Sequence, residues 1–221
     1  MKKYFEIFFL GFIGCILAAC QMLPSAIFQN ETCSPPCWNG VIPGKTLFKD
    51  INAKMNPTPS IDSKSIKTIS FLQSNDGISF SFLPNVRENG GRIFSQDGIV
   101  QAILFWPKSN EFLLSEGLQN WGSPDQYISI YYSKVETPYL ITIVTYINRG
   151  IILESRKAMS IEDVPKFENN LPIDDFWYIN PELTNSLLEN GPIAIIDKQD
   201  LLDGLKPWTG LGEIIYLTKD H

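Results

Sequence analysis

Between residues 66 and 156, outside 110–120, the apolar residues gather in strand-length runs, the clearest with a period of two, broken by short turn signals. That feature constrains the fold most. In 78–83, Ile78, Phe80 and Phe82 alternate with Ser79 and Ser81, the pattern of a strand buried on one face. Further strands are expected at 66–73, 92–95, 99–106, 126–133, 139–148 and 150–156. Asn75-Asp76-Gly77, Asn89-Gly90-Gly91, Asp97-Gly98 and Asn148-Arg149-Gly150 mark turns between them; Asp-Gly between two apolar runs is a strong hairpin signal.

Helical period appears in three places. Leu47, Ile51 and Met55 recur at i, i+4 and i+8, so a helix is expected over 47–55 with Thr46 as its N-cap. A second is expected over 110–120, capped by Ser109 or Asn110 and stopped by Gly122-Ser123-Pro124-Asp125. Gly117 within it costs about 1 kcal/mol against alanine. A third should open at Asn180-Pro181 and run to about Glu189, with Gly191 just past its end. The tail suggests strands near 193–196 and 213–217 around a short helix at 199–204. The order is helix, four strands, helix, three strands, helix. It implies an α+β fold: an antiparallel sheet of hairpins with helices on one face. Two helix-plus-meander units, 45–106 and 109–157, would be followed by an extension over 158–221.

The N-terminus carries an address. Lys2 and Lys3 precede a 13-residue apolar run, Ile7 to Ala19. As a helix this run reaches roughly 20 Å, short of a hydrocarbon core of about 30 Å. Charged start, short apolar middle and small residues at the end match a secretory signal peptide over 1–19. The alternative is an uncleaved anchor starting near Tyr4, which Glu6 disfavours. Leu17-Ala18-Ala19-Cys20 resembles the lipobox of bacterial lipoproteins. The resemblance implies cleavage before Cys20 and lipid on its sulfur, so that two or more acyl chains hold the protein at a membrane outside the cytosol. Residues 20–36 read as a lipidated tether and 37–221 as the globular region.

The whole chain carries a formal charge of −6. Cleavage would remove Lys2, Lys3 and Glu6, leaving −7. An acidic chain without a basic patch gives no support for nucleic-acid binding. Apolar residues at 44% indicate a packed core. Cys15 leaves with the leader, so Cys33 and Cys37, in T-C-S-P-P-C-W, remain as a pair. Outside the cytosol a disulfide is the default; the alternative is a redox or copper-binding C-x-x-x-C, for which the only histidine is His221.

Several chemistries fail on spacing. Gly40-Val41-Ile42-Pro43-Gly44-Lys45-Thr46 has three residues between its glycines where a phosphate-binding P-loop needs four. Pro43 removes one backbone N–H that would cradle phosphate. Nucleotide binding is therefore not expected, and no cofactor is. One terminal histidine cannot build a His-rich metal site or a Ser-His-Asp relay. Carboxylate chemistry survives at Asp174-Asp175, just before Phe176-Trp177-Tyr178, since acids beside aromatics are what a sugar-cleaving site uses; the plainer reading is a solvated loop beside buried aromatics. Asp197, Asp200 and Asp203 recur every three residues and read as a solvated helix face rather than a cation site. Trp106 and Trp121 are expected in the core and Trp38 over the disulfide. Trp208, in K-P-W-T-G-L-G, lies where a partner would dock, although core packing is the plainer reading for it too.

The helix ending W-G-S-P-D followed by a meander resembles small envelope lipoproteins of the outer-membrane β-barrel assembly machine, and the secreted β-lactamase inhibitor proteins. In those families P-G-x-[ST] starts a helix, as Pro43 to Thr46 would here. The pattern C-x-x-P-C-W-x-G-x-x-P-G-x-T, Cys33 to Thr46, is similar to a set of bacterial lipoproteins without an assigned function. What these resemblances imply is a non-catalytic module that binds a protein partner or supports envelope assembly. The alternative is a carbohydrate-active or solute-binding lipoprotein using Asp174, Asp175 and Trp177.

Overall fold

The computed structural model describes residues 33–71, 75–83, 89–108, 112–160, 163–183 and 203–219. Cys20, the leader, most of the tether and the residues expected to form the elements over 184–202 lie outside them. Among the described residues no helix is long and apolar enough to cross a membrane.

The expected alternation becomes a sheet. Its first meander is β1 (Lys67–Phe71), β2 (Asn75–Ser81), β3 (Gly90–Gln96) and β4 (Ile99–Trp106). Its second is β5 (Gln126–Tyr132), β6 (Tyr139–Tyr146) and β7 (Ile151–Ala158). Between them stands β9 (Asp175–Ile179), and the order is β1-β2-β3-β4-β9-β7-β6-β5-β10. β10 (Lys206–Pro207) and β12 (Leu217–Lys219) both pair with β5; β12 runs parallel to it, and every other pairing is antiparallel. A separate two-stranded sheet joins β8 (Lys166–Phe167) to β11 (Gly212–Glu213). Two α-helices lie wholly within the described residues, α1 (Ile51–Met55) and α2 (Leu114–Trp121), and both are short. The protein is thus mixed, dominated by an antiparallel sheet with some helix.

Asp97-Gly98 is the hairpin turn expected: both residues have positive φ (53° and 74°), and Gln96 pairs directly with Ile99. Two other turn assignments need correction. Asn75-Asp76-Gly77 lies inside β2, paired with Phe71, Ser70 and Ile69. Gly90 and Gly91 lie inside β3, opposite Ser81 and Phe80. The glycines serve packing there: a Cβ on Gly91 would strike the Phe80 ring and come within 2.6 Å of the Leu104 carbonyl oxygen.

The sheet buries side chains on both faces. The larger core gathers Trp38, Phe80, Phe82, Ile93, Phe105, Phe112, Trp121, Tyr146, Phe176 and Tyr178, with Ile51 and Met55 of α1 and Leu114 of α2. Trp38, the neighbour of Cys37, is held by an aromatic cage. It is 1% exposed, stacked on Phe80 at 5.2 Å and edge-on to Phe105 at 5.0 Å. Such aromatic pairs add about 0.5–1.5 kcal/mol each beyond the area they bury. The second core gathers Ala102, Ile128, Ile130, Ile141, Ile143, Ile152, Trp177 and Ile179 on the opposite face.

α2 begins at Leu114 rather than 110. Leu113 is the N-cap, and its N–H donates to the Glu116 carboxylate (2.9 Å), satisfying one of the orphan donors of a helix start. Gly117 repays its propensity cost by proximity: a Cβ there would sit 3.1 Å from Leu153. Thr46 does not cap α1. Its hydroxyl accepts from the Ile42 N–H (2.8 Å), while Leu47 and the 3-10 turn Phe48–Asp50 lead into the helix. Asn180 caps as expected, its side-chain oxygen accepting from the Glu182 N–H (3.2 Å), but the element it opens among the described residues is a 3-10 turn, Pro181–Leu183.

Candidate functional site

Asp174 and Asp175 do not sit in a solvated loop. Asp175 opens β9, and the residues after it run through the middle of the sheet, paired on one side with β4 and on the other with β7. The register sets Asp175 directly opposite Glu154 of β7. Two carboxylates therefore face each other across adjacent strands, on the face that also carries Trp177 and Ile152. Like charges in that relation repel.

Arg156 answers them. Being two residues beyond Glu154 on the same strand, it projects from the same face. Its Nε and Nη2 reach one Glu154 oxygen at 2.7 and 2.6 Å, and Nη2 lies 3.4 Å from Asp175. Asp174 closes the group from the strand end: its carboxylate accepts from the Arg156 backbone N–H (2.6 Å), and its own N–H donates to the Glu154 carbonyl (2.9 Å). Glu154 is 3% exposed and Asp175 24%.

Three carboxylates share one guanidinium, so full ionisation would leave two uncompensated negative charges. Burial, helped by the Glu154 and Asp174 charges and opposed by Arg156, raises Asp175 to a pKa of about 6. Burial also raises Glu154 and Asp174, against the opposing pull of Arg156 and its hydrogen bonds. For Arg156 burial alone would lower the pKa, but Glu154 and the two aspartates outweigh it and hold the group above its ordinary value. Beside the guanidinium is a half-open depression of about 240 Å³ lined by Tyr139, Ile141, Arg156 and Ala158. Among the described residues no group of His, Cys, Asp and Glu is placed to hold a metal ion.

The other singled-out residues make no polar contact with this group that the structure records. Trp177 is 5% exposed and stacked on Phe94 at 5.7 Å, so its ring is occupied by the core rather than offered to a ligand. Trp208 is half-buried, against Phe167 at 4.6 Å and Tyr127 at 6.3 Å. A disulfide joins Cys33 to Cys37, with Cys37 buried beside the Trp38 cage. Asp203 is exposed; Asp197 and Asp200 lie outside the described residues. Sequence reasoning misses Glu154 and Arg156, though a signal is there. A charged pair at i and i+2 of a strand must share a face.

A second feature is an exposed surface. In the β8–β11 pair, Phe167 and Ile214 point inward, while Lys166 and Glu213 point out. On the segments adjoining this pair Val164 (62% exposed) and Ile215 (64% exposed) stand out to solvent, as do Leu211 and Tyr216. Tyr216 is anchored edge-on to Tyr131 at 5.9 Å.

The fold defines the class no more narrowly than a mixed protein built on one large, mainly antiparallel sheet. No protein-family model matches the chain, and no curated protein does. Among solved structures it is similar to a cysteine-rich secretory protein from Staphylococcus aureus subsp. aureus Mu50, at 12% identity and a TM-score of 0.37, over 75% of this chain and 52% of that one. The chain thus matches about half the length of that protein.

Proposed function

We propose that the chain is exported, anchored to a membrane by lipid on Cys20, and acts as a non-catalytic module that binds another protein or supports envelope assembly. The observation that carries the binding part is the outward face of the β8–β11 pair. There Val164 and Ile215, on the two segments that adjoin the Lys166–Glu213 pair, are each more than 60% exposed. Exposed apolar residues rimmed by charge are what protein-binding surfaces are made of. The anchor rests on Leu17-Ala18-Ala19-Cys20. The finer architecture belongs to the same reading: helices on one face of two helix-plus-meander units, supported by the fact that α1 and α2 bury residues in the same core.

Cross-linking on intact cells, with wild type beside Val164→Asp/Ile215→Asp, tests the surface. A discrete adduct formed by the wild type should vanish in the double variant while abundance is kept. An unchanged adduct, or none in either, counts against it. Intact-mass measurement of the purified protein tests the anchor: an N-terminus at Cys20 bearing acyl chains is expected, and an unclipped, unmodified chain overturns it.

A second reading, a carbohydrate- or solute-binding lipoprotein, has the depression beside Arg156, near Asp175, in its favour. It predicts saturable binding of a neutral glycan that Arg156→Ala abolishes, which the first reading does not.

A further inference from the structure

We propose that Glu154, Asp174, Asp175 and Arg156 form a proton-binding latch at the end of the β7–β9 joint, closed by one shared proton and loosened when that proton leaves. The geometry is unusual for a sheet. Two carboxylates stand directly opposite each other in the last register pair of the joint, Glu154↔Asp175, and one of them is almost wholly buried. A third, Asp174, adjoins them and holds the Arg156 N–H. One guanidinium serves all three, and its two contacts to Glu154 fall on a single oxygen. Like charges this close cannot all ionise at ordinary cost, so one carboxyl keeps a proton. Because the groups are coupled, the proton belongs to the cluster rather than to a single residue.

The groups facing the cluster from the neighbouring strands do not supply the missing charge. From β6 it is faced by Tyr139, which shares the depression with Arg156. β4, the other strand paired with β9, carries no charged residue, and Arg92 of β3, one strand further out, is held over the Trp106 ring at 5.4 Å. The location gives the latch its reach: β7 and β9 share only four register pairs, and that joint ties the second meander to the first.

For an acid whose affinity for protons is higher folded than unfolded, the stabilisation is complete below the unfolded pKa and is lost as pH rises through the folded one. The window therefore runs from about pH 4 to somewhat above 6. The test is denaturant unfolding of the full chain at pH 4.5, 6 and 8, wild type beside Asp175→Asn and Glu154→Gln. A neutral amide copies the protonated acid and cannot ionise. Relative to Asp175→Asn, the wild-type folding constant should fall by up to roughly a hundredfold across the window. Parallel pH profiles for wild type and both variants overturn the latch. Should a variant not fold, carbon-13 carboxyl NMR titration of the wild type decides instead. A side-chain carboxyl titrating near pH 6 that perturbs the amides of 151–156 and 175–179 upholds it; all carboxyls titrating below pH 5 overturn it.

Discussion

At the scale of single residues the glycines separate by what surrounds them. Gly91 is held by the Phe80 ring and the Leu104 carbonyl, so Gly91→Ala must displace backbone or a buried ring. We expect a loss of about 1–3 kcal/mol, as for overpacked cores, read by denaturant unfolding. Gly98 has a φ of 74° and nothing near its would-be Cβ, so Gly98→Ala should lose only about 1 kcal/mol, from the left-handed backbone alone. Equal losses at the two sites would contradict this account. Trp38→Ala, which empties the Phe80–Phe82–Phe105 cage, should cost about 3–5 kcal/mol. Replacing Cys33 and Cys37 by serine removes a short closed loop and should cost only about 2 kcal/mol. Reversing that order would mean that the disulfide, not the tryptophan, fastens the N-terminal segment to the core.

At the scale of elements, the bulge in β4 is the clearest device. Phe94 pairs with Ala102 but Ser95 pairs with Val100, leaving Gln101 as the extra residue. The insertion returns Val100 to the face of Ile103 and Phe105, and all three are buried in the larger core. Gln101 is then used by its neighbour: its carbonyl accepts from the Asn180 N–H (2.9 Å) and its side chain from Asn180 Nδ2 (3.2 Å). Deleting Gln101 should turn Ile99 and Val100 to the wrong face and undock Leu47 from Ile99. The expected result is a drop in melting temperature with loss of near-ultraviolet dichroism; a native spectrum would refute it. Alternation locates the strands where one face is polar, as in β2. It fails at β9, because Phe176, Trp177, Tyr178 and Ile179 are all buried and a strand covered on both faces has no period of two to show. The adjacent aspartates then read as a loop. Asn75-Asp76-Gly77 misleads for the opposite reason: local turn preference loses to five consecutive cross-strand pairs.

Across the whole molecule, stability should be graded along the sheet. β4, β9 and β7 are flanked by pairing on both sides, whereas β1 and the short β10 and β12 lie at its ends. Native-state hydrogen exchange should show the slowest amides in 102–105, 151–154 and 176–179 and the fastest of the sheet in 67–71 and 217–219. Uniform protection would argue against this topology. The candidate site is half legible at this scale. Asp174 and Asp175 stand out in the sequence, but Glu154 and Arg156 join them only through a pairing between residues some twenty positions apart.

The position of β9 has a consequence for how the chain comes into being. A polypeptide emerging from its N-terminus completes β1 to β7 in two hairpin stacks before residues 175–179 are available, and until then β4 and β7 each present a raw edge toward an empty slot. Among the described residues β9 is the last long strand to arrive, and it is the keystone. Whatever delays its arrival leaves two sticky half-sheets waiting, each able to recruit a stranger in its place.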